Sequence, residues 1–266
     1  MRGFSAQWLA LREPYDLAAR NGTVLDAVAA TFADMPAVTV TDLGCGTGAT
    51  MRAIAACLPA QQNWRLVDND HVLLDAARSA APAGASATTL ALNLAGAIEQ
   101  AVDGCDLVAT SALLDLVSAA WLDRLMAILA RQSRPLYAAL SYDGVVTLSP
   151  ETRHDAAVIA AVNRHQRTDK GFGPALGPDA ARIALDRFRR AGFAVLEGRS
   201  DWQFGASDRE IQMEILAGWA DAAGEIGVDP SILVEWLHER RDNVISGRSQ
   251  MRVGHIDFFS TPTGRR

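Results

Sequence analysis

Short runs of alternating apolar and polar residues recur along the chain, and stretches with helical spacing separate them. The first run, Val38 to Thr41, alternates as in a half-buried strand and follows the breaker Pro36. Later runs of this kind are Trp64–Val67, Thr88–Leu92, Asp106–Thr110, Pro135–Ser141, Phe193–Glu197 and Val253–Phe259. Strands that alternate with helices predict an α/β fold with a largely parallel sheet.

The N-terminal stretch has helical periodicity. Pro14 suits the first turn of a single helix that runs toward Phe32. On this helix Arg12, Asp16 and Arg20 recur at a spacing of four, which favours a solvated face of salt bridges. The alternative is that Arg20, or Arg12, reaches a bound ligand from an N-terminal helical cap.

Amphipathic helices are also predicted in the second half of the chain. Residues 154–167 lead into a loop rich in Gly and Pro, and 208–222 and 231–245 lie between the sixth and the last strand. The latter pair has apolar residues on one side, which predicts a lid or a dimer surface.

A glycine-spaced loop follows the first strand and is the most informative motif in the chain. The strand ends in Asp42, Gly44, Gly46 and Gly48 follow at alternate positions, and a helix is predicted from Ala49. Glycine lets the backbone turn tightly and leaves no side chain between the loop and a ligand. The amides at the start of the helix face the same space.

Two ligand classes fit a loop of this kind. Gly44, Gly46 and Ala49 match the dinucleotide pattern G-x-G-x-x-A. A dinucleotide, however, places a pyrophosphate at the helix N-terminus, where the carboxylate of Asp42 would repel it. The fuller string, an acid followed by G-x-G-x-G, resembles the first motif of class I S-adenosylmethionine-dependent methyltransferases. The ammonium and sulfonium of that cofactor suit an acid.

The resemblance implies a fold and a set of cofactor contacts. The fold is a seven-stranded, mostly parallel α/β sheet with helices on both faces, an antiparallel last strand and helical cap insertions. The residues that it assigns to S-adenosyl-L-methionine are Arg20, Asp42, Gly44, Cys45, Gly46, Asp68, Asn69, Asn93, Leu94 and Ser111. Asp68 would accept the ribose hydroxyls, with Asp70 as a rival that more often caps a helix. Asn93 would bind the adenine amino group beside Leu94, or cap the next helix, or do both.

Candidate catalytic groups follow the later strands. If the acceptor is a hydroxyl, a base assists the transfer, and the candidates are His165, then Asp169 and Tyr142. Tyr142 lies in a Tyr-Asp-Gly sequence that also predicts a hairpin turn, and Asp169 and Lys170 lie in the Gly/Pro-rich loop. Asp115 could face the acceptor or cap a helix.

Composition restricts the partners. The net charge of −6 argues against a surface that follows nucleic acid. Three cysteines without metal-ligand spacing indicate reduced thiols in a cytoplasmic protein, and we expect no metal site. The N-terminus has no apolar core of a signal peptide and no stretch reads as a membrane span. Arg dominates over the one lysine, which suggests a high-GC bacterial genome.

The sequence therefore predicts one methyltransferase domain. Residues 1–33 form an N-terminal cap, 34–141 the cofactor-binding core, and 142–178 and 200–248 the insertions on the substrate side. The expected reaction is in-line methyl transfer to an O, N or C nucleophile of a small-molecule acceptor. The alternatives are an NAD(P)-dependent oxidoreductase and a non-catalytic S-adenosylmethionine-binding protein. A homodimer could form through the helices of 207–246.

Overall fold

The predicted strands assemble into a single sheet in the computed structural model, which describes residues 4–263. The described residues form eight strands, which are β1 (Ala37–Leu43), β2 (Gln61–Asp68), β3 (Ala85–Ala91), β4 (Leu107–Ser111), β5 (Leu136–Ser149), β6 (Phe193–Arg199), β7 (Trp202–Phe204) and β8 (Gln250–Pro262). Their order is β3-β2-β1-β4-β5-β8-β6, and the short β7 pairs with β8. Strands β1 to β5 are parallel, and β8 is antiparallel to its neighbours. The predicted α/β fold with a reversed last strand is confirmed, with one short strand added.

Helices cover both faces of this sheet. They are α1 (Ala6–Ala19), α2 (Gly22–Phe32), α3 (Ala49–Ile54), α4 (His71–Ser79), α5 (Leu94–Val102), α6 (Ala119–Gln132), α7 (Asp155–His165), α8 (Ala180–Arg190), α9 (Arg209–Glu225) and α10 (Pro230–Ile245). Alternate residues of β4 serve opposite faces: Val108 packs in a core with helices α5, α6 and α8, and Leu107 in a core with α2, α3 and α4. This alternation is the period of two that the sequence shows.

The N-terminal stretch differs from its prediction. It forms two helices, α1 and α2, because the chain leaves helical geometry at Arg20 and Asn21 caps α2 by accepting from the Val24 amide at 3.1 Å. Pro14 lies inside α1. The predicted solvated face is also wrong, since Arg12 is buried like its two partners. The cause is tertiary packing. Asp16 on this side of α1 accepts from Trp202 of β7, and Arg20 donates to Ser111 at the end of β4.

Strand β5 is twice as long as predicted. The hairpin expected at Asp143-Gly144 is wrong, because the chain continues as a strand to Ser149. The turn residues instead form an irregularity in the pairing with β8 between Tyr142 and Val146, where Gly144 has a φ of 81°. β8 is long enough to pair with both halves of β5, so the sheet extends beyond the core.

A third apolar core lies on this extension. It contains Trp202 and Phe204 of β7 together with residues of α7, α9 and α10. A buried ion pair joins Asp155 at the start of α7 to Arg240 of α10, with the Arg240 Nε donating to Asp155 Oδ1 at 2.8 Å. The helices between β7 and β8 are thus packed onto the extended strands. None of the helices within 4–263 has the length and apolarity needed to cross a membrane.

Candidate functional site

The loop between β1 and α3 is a backbone cradle. Gly44 and Gly46 have φ values of 67° and 51°, in the region that glycine adopts without strain. A β-carbon built on Gly44 would lie 3.3 Å from Leu113, and one on Gly46 would lie 3.1 Å from Leu9 of α1. The amides of Gly44 and Cys45 donate to the Val67 carbonyl at 2.9 and 3.0 Å. The loop is therefore fixed to β2 and covered by α1.

Asp42 is a buried acid at the end of β1. Its side chain has no solvent exposure, and neither carboxylate oxygen has a hydrogen-bond partner among residues 4–263. Burial raises the pKa of Asp42 to about 8, although the nearby charge of Arg20 opposes this shift. Buried polar atoms are nearly always hydrogen-bonded, so this carboxylate is set to receive a cation or a donor from a ligand.

Arg20 brings a positive charge to the same place. Its guanidinium donates to the Tyr137 hydroxyl at 2.9 Å and to Ser111 Oγ at 3.0 Å. Ser111 at the end of β4 also accepts from the Thr50 hydroxyl at 3.0 Å. The Nε atom of Arg20 is buried and has no acceptor within the described part of the chain. Arg20 thus leaves a donor free to bind an anionic group.

The next strands end in polar residues as predicted. Asp68 of β2 accepts from the Gly46 amide at 2.9 Å and from the Asp70 amide at 3.1 Å. Asp70 caps α4, with its Oδ1 accepting from the Val72 amide at 2.8 Å. Asn93 after β3 caps α5 by accepting from the Ala95 amide at 3.0 Å. Asp68 holds the glycine loop in shape and is itself only half-buried.

Three neighbouring residues complete this edge. Asn69 directly follows Asp68 and is exposed, whereas Leu94 is buried at the start of α5. Cys45 is a buried thiol within the glycine loop. Burial raises its pKa, so it stays protonated and acts as a small side chain rather than as a nucleophile.

The donor set at this edge fits one cofactor class. A buried acid, a buried arginine and a glycine cradle meet where β1 and β4 end, and a second acid stands at the end of β2. S-adenosylmethionine carries an ammonium and a carboxylate at one end and a ribose diol at the other. A pyrophosphate would meet the carboxylate of Asp42 beneath the loop, which disfavours the dinucleotide alternative.

The comparison with protein families agrees with this geometry. Residues 40–135 match the family model of a methyltransferase domain. Residues 40–135 are thus a methyltransferase domain, in agreement with the resemblance to the class I S-adenosylmethionine-dependent methyltransferases. The matched residues run from within β1 to the residue before β5 and include the glycine loop, Asp68 and Ser111. The methyltransferase has no match among curated protein sequences.

Solved structures of similar fold align with nearly the whole chain. Loganic acid methyltransferase with S-adenosylhomocysteine is 11% identical over 100% of this chain and 99% of its own, with a TM-score of 0.56. A cyclopropane-fatty-acyl-phospholipid synthase-like protein from Lactobacillus casei is 14% identical over 97% and 94%, with a TM-score of 0.53. At these identities the similarity establishes the fold.

The predicted catalytic residues of the methyltransferase have partners inside the protein. His165 Nε2 lies 2.9 Å from Glu225 Oε2 of α9, and Lys170 Nζ lies 3.3 Å from the same ring. Asp169 accepts from the amides of Gly171 and Gly173 at 2.7 and 3.0 Å and so shapes its own loop. The structure brings His165 and Lys170 together beside α9, and it gives neither a contact with the glycine loop.

Tyr142 is buried on β5 and donates to Asn163 Oδ1 at 2.7 Å. Burial, assisted by the charges of Asp143 and Asp115, raises its pKa above that of a free tyrosine. Its hydroxyl is therefore a poor base near neutral pH. The roles of His165, Asp169 and Tyr142 in catalysis stay predictions.

Two further buried groups lie on this side, and the sequence pointed to them only weakly, with Asp115 as a residue that faces the acceptor or caps a helix. Asp115 follows β4 and His255 lies on β8 opposite Tyr142. They are 7% and 5% exposed, and Asp115 Oδ1 and His255 Nδ1 have no hydrogen-bond partner within 4–263. The sequence signal for Asp115 is its place four residues after Ser111. His255 resembles a core histidine in the sequence, so only its surroundings reveal it.

Proposed function

We propose that the methyltransferase transfers the methyl group of S-adenosylmethionine to a small-molecule acceptor, with the cofactor bound along the ends of β1 to β4. The observation that carries the proposal is a buried carboxyl group beside a buried guanidinium at the glycine loop. Asp42 offers two buried carboxylate oxygens and Arg20 a buried Nε, none of which is hydrogen-bonded to any residue of 4–263. These groups complement the ammonium and the carboxylate of the cofactor.

The remaining contacts follow the same edge. The backbone of Gly44, Cys45 and Gly46 passes beneath the cofactor, and Ser111 holds Arg20 in place. Asp68 and Asn69 receive the ribose hydroxyls, because a carboxylate has two acceptor oxygens for a vicinal diol. Further contacts to the adenine ring come from Asn93 and Leu94. When bound, the cofactor supplies an electrophilic methyl group on a sulfonium.

The chain's own contribution to such a reaction is chiefly positioning. Holding two reactants in attack geometry supplies roughly 7–11 kcal/mol of a barrier. Helix α1 lies against the glycine loop, and α7, α9 and α10 pack on the extended part of β5, so we expect these helices to enclose an acceptor of small size. The acidic net charge of −6 supports a small molecule over nucleic acid. The cytoplasmic location and the homodimer through 207–246 stay predictions.

Calorimetry with S-adenosylhomocysteine tests the cofactor site. We expect binding of this product and of S-adenosylmethionine but not of NADH. Asp68→Ala should weaken binding about 10- to 100-fold, the size expected when a charged hydrogen-bonding group is removed. Asp75→Asn, on the exposed face of α4, is the matched control and should bind normally. Equal affinity of Asp68→Ala and wild type would contradict the assignment of Asp68.

A transfer assay tests the acceptor class. Labelled S-adenosylmethionine is incubated with the protein and a cell extract, and the extract is then separated by molecular mass. We expect label in the small-molecule fraction, absent when the protein is omitted. Label confined to protein or nucleic acid would overturn the small-molecule part of the proposal and leave the cofactor part standing.

A further inference from the structure

A second set of buried polar groups lies beyond the candidate cofactor contacts. We call it the Asp115 cluster, and its members are Arg12, Asp16, Asp115, Tyr142, Trp202 and His255. They come from α1, the segment after β4, β5, β7 and β8, and each is at most 8% exposed. Asp115 and His255 take no part in the proposed cofactor contacts, although burial of an acid and an imidazole is costly.

Part of the cluster is satisfied internally. Arg12 donates to both oxygens of Asp16 at 2.9 and 3.1 Å, and Trp202 Nε1 donates to Asp16 Oδ1 at 3.0 Å. The Arg12 guanidinium also lies over the Trp202 ring, 4.8 Å from its centroid. The charges of Arg12 and Asp16 therefore neutralise each other, and these contacts hold both side chains on one side of the cluster.

Two atoms of the cluster are not satisfied. Asp115 Oδ1 and His255 Nδ1 are buried without a hydrogen-bond partner in the described part of the chain. The Arg12 charge acts on both groups, and Tyr142 senses the charge of Asp115. The His255 ring centroid lies 4.8 Å from that of Trp202 and 6.1 Å from that of Tyr142. An imidazole with a free nitrogen thus lies beside two aromatic rings, and the charge of Asp115 acts on one of them, Tyr142.

The cluster adjoins the candidate cofactor site through one short segment. Ser111 contacts Arg20, Leu113 lies against Gly44, and Asp115 follows two residues later. Helix α1 makes the same connection, because Arg20 at its end reaches Ser111 and Arg12 two turns earlier belongs to the cluster. Asp115 is therefore two positions along the chain from a side chain that contacts the glycine loop.

The charge of the cluster selects among acceptors. Burial lowers the pKa of His255 to about 3, so the imidazole is neutral. The charges of Asp201 and Arg199 also act on His255, but these two residues form an ion pair with each other. Asp115 is therefore the charged member of the cluster that has no ion-pair partner in the described part of the chain. A carboxylate or phosphate acceptor would be repelled by an acid in this low-dielectric setting. A neutral or cationic group that carries a proton would instead donate to Asp115.

We propose that the Asp115 cluster binds the methyl acceptor, a small compound whose nucleophilic nitrogen or oxygen carries a proton, and that Asp115 takes this proton. The proposal rests on the proposed function. The acceptor's nitrogen or oxygen bonds to the methyl carbon, and the carbon–sulfur bond breaks with its electron pair going to sulfur. The acceptor's proton moves to Asp115 Oδ1, and His255 Nδ1 orients the acceptor through a hydrogen bond.

The test combines Asp115→Asn with a panel of small amines, phenols and carboxylic acids as acceptors. The readout is transfer of labelled methyl, and calorimetry with S-adenosylhomocysteine checks the cofactor site in each protein. We expect amines or phenols, not carboxylic acids, to be methylated by wild type. Asp115→Asn should lower the turnover at least about 100-fold, the usual size for a lost acid–base group, and should bind S-adenosylhomocysteine as wild type does. Asp186→Asn, on the exposed face of α8, should keep wild-type turnover.

The outcomes separate the two proposals. Failure of wild type to bind S-adenosylhomocysteine overturns the proposed function. Normal binding together with wild-type turnover by Asp115→Asn, or methylation of carboxylic acids alone, overturns the present inference only. If Asp115→Asn does not fold, His255→Gln decides: a raised KM for the acceptor with unchanged cofactor affinity supports the cluster, and an unchanged KM overturns it.

Discussion

Individual acids at the strand ends are held in conditions that disfavour their charge. Asp42 and Asp115 are both buried, and burial raises the pKa of Asp42 to about 8 and that of Asp115 to about 6. Asp68, two strands from Asp115, is half-buried and hydrogen-bonded to two amides. The three acids at this edge of the sheet therefore differ in their exposure to solvent, and acids in different surroundings are suited to different roles.

The raised pKa of Asp42 predicts that cofactor binding depends on pH. Below pH 8 the carboxyl is protonated and must lose its proton to receive the ammonium group, so affinity for S-adenosylhomocysteine should rise with pH. The slope should approach about tenfold per pH unit between roughly pH 6 and 8 and level off above. Arg20, Arg52, Asp68 and Thr50 are the groups that act on Asp42.

Calorimetry in buffers of different ionisation enthalpy measures the released proton. Asp42→Asn removes the titrating group, so its weaker binding should lose this pH slope. The same pKa affects stability in the opposite sense. Between the ordinary value of 3.8 and about 8, the folded protein holds a proton that the unfolded chain releases, so the free energy of unfolding falls as pH rises. A pH slope retained in Asp42→Asn would refute the assignment.

Among the elements, the helices of the extension depend on one buried ion pair. Asp155 at the start of α7 accepts from Thr152, from Trp236 Nε1 at 2.9 Å and from Arg240 of α10. Arg240 has no solvent exposure. This acid therefore joins α7 and α10 although they are separated by α8, β6, β7 and α9 in the chain.

Replacing Arg240 should be strongly destabilising. Arg240→Ala leaves the Asp155 carboxylate buried with one partner fewer, and loss of one member of a buried pair costs about 3–5 kcal/mol of the free energy of unfolding. Urea denaturation followed by circular dichroism measures this value. The exposed pair Arg182–Asp179 provides the control, and Arg182→Ala should cost less than about 1 kcal/mol. Similar losses in both variants would show that burial does not govern the Arg240 contribution.

Across the whole molecule, α1 joins the cofactor-binding core to the extension. Glu13 forms two 2.6 Å hydrogen bonds with Arg52 of α3, beside the glycine loop. On the other side Tyr15 donates to Asp208 at 3.0 Å at the start of α9, and Asp16 accepts from Trp202 of β7. Since Leu9 of α1 lies against Gly46, we expect α1 to move when a cofactor enters the loop.

Weakening this closure should speed cofactor exchange. Glu13→Gln loses the charge of a partly exposed pair, so the free energy of unfolding should change by less than about 1 kcal/mol. Both the association and the dissociation rate of S-adenosylhomocysteine should rise, because the two steps pass through the same opening of α1. Stopped-flow fluorescence measures both rates, with Asp75→Asn as the matched surface control. Unchanged rates in Glu13→Gln would mean that entry does not involve α1.

The sequence by itself determined the alternation of strands and helices in the first half of the chain, the glycine loop and the helix caps of Asp70 and Asn93. These features depend on neighbours a few positions away, so periodicity and residue type are enough to predict them. Matching to the known fold supplied the reversed last strand. The buried place of Arg20 was open in the sequence, because spacing alone cannot distinguish a solvated face from a covered one.

Only the tertiary structure decided which polar groups are buried together. Trp202 and Asp16 are 186 positions apart in the chain, and His255 meets Tyr142 because β8 runs antiparallel to β5. The burial that raises the pKa of Asp115 and lowers that of His255 comes from elements distant in sequence. Desolvation depends on all the residues that surround a group in space, so it cannot be predicted from the pattern of neighbouring residues in the sequence.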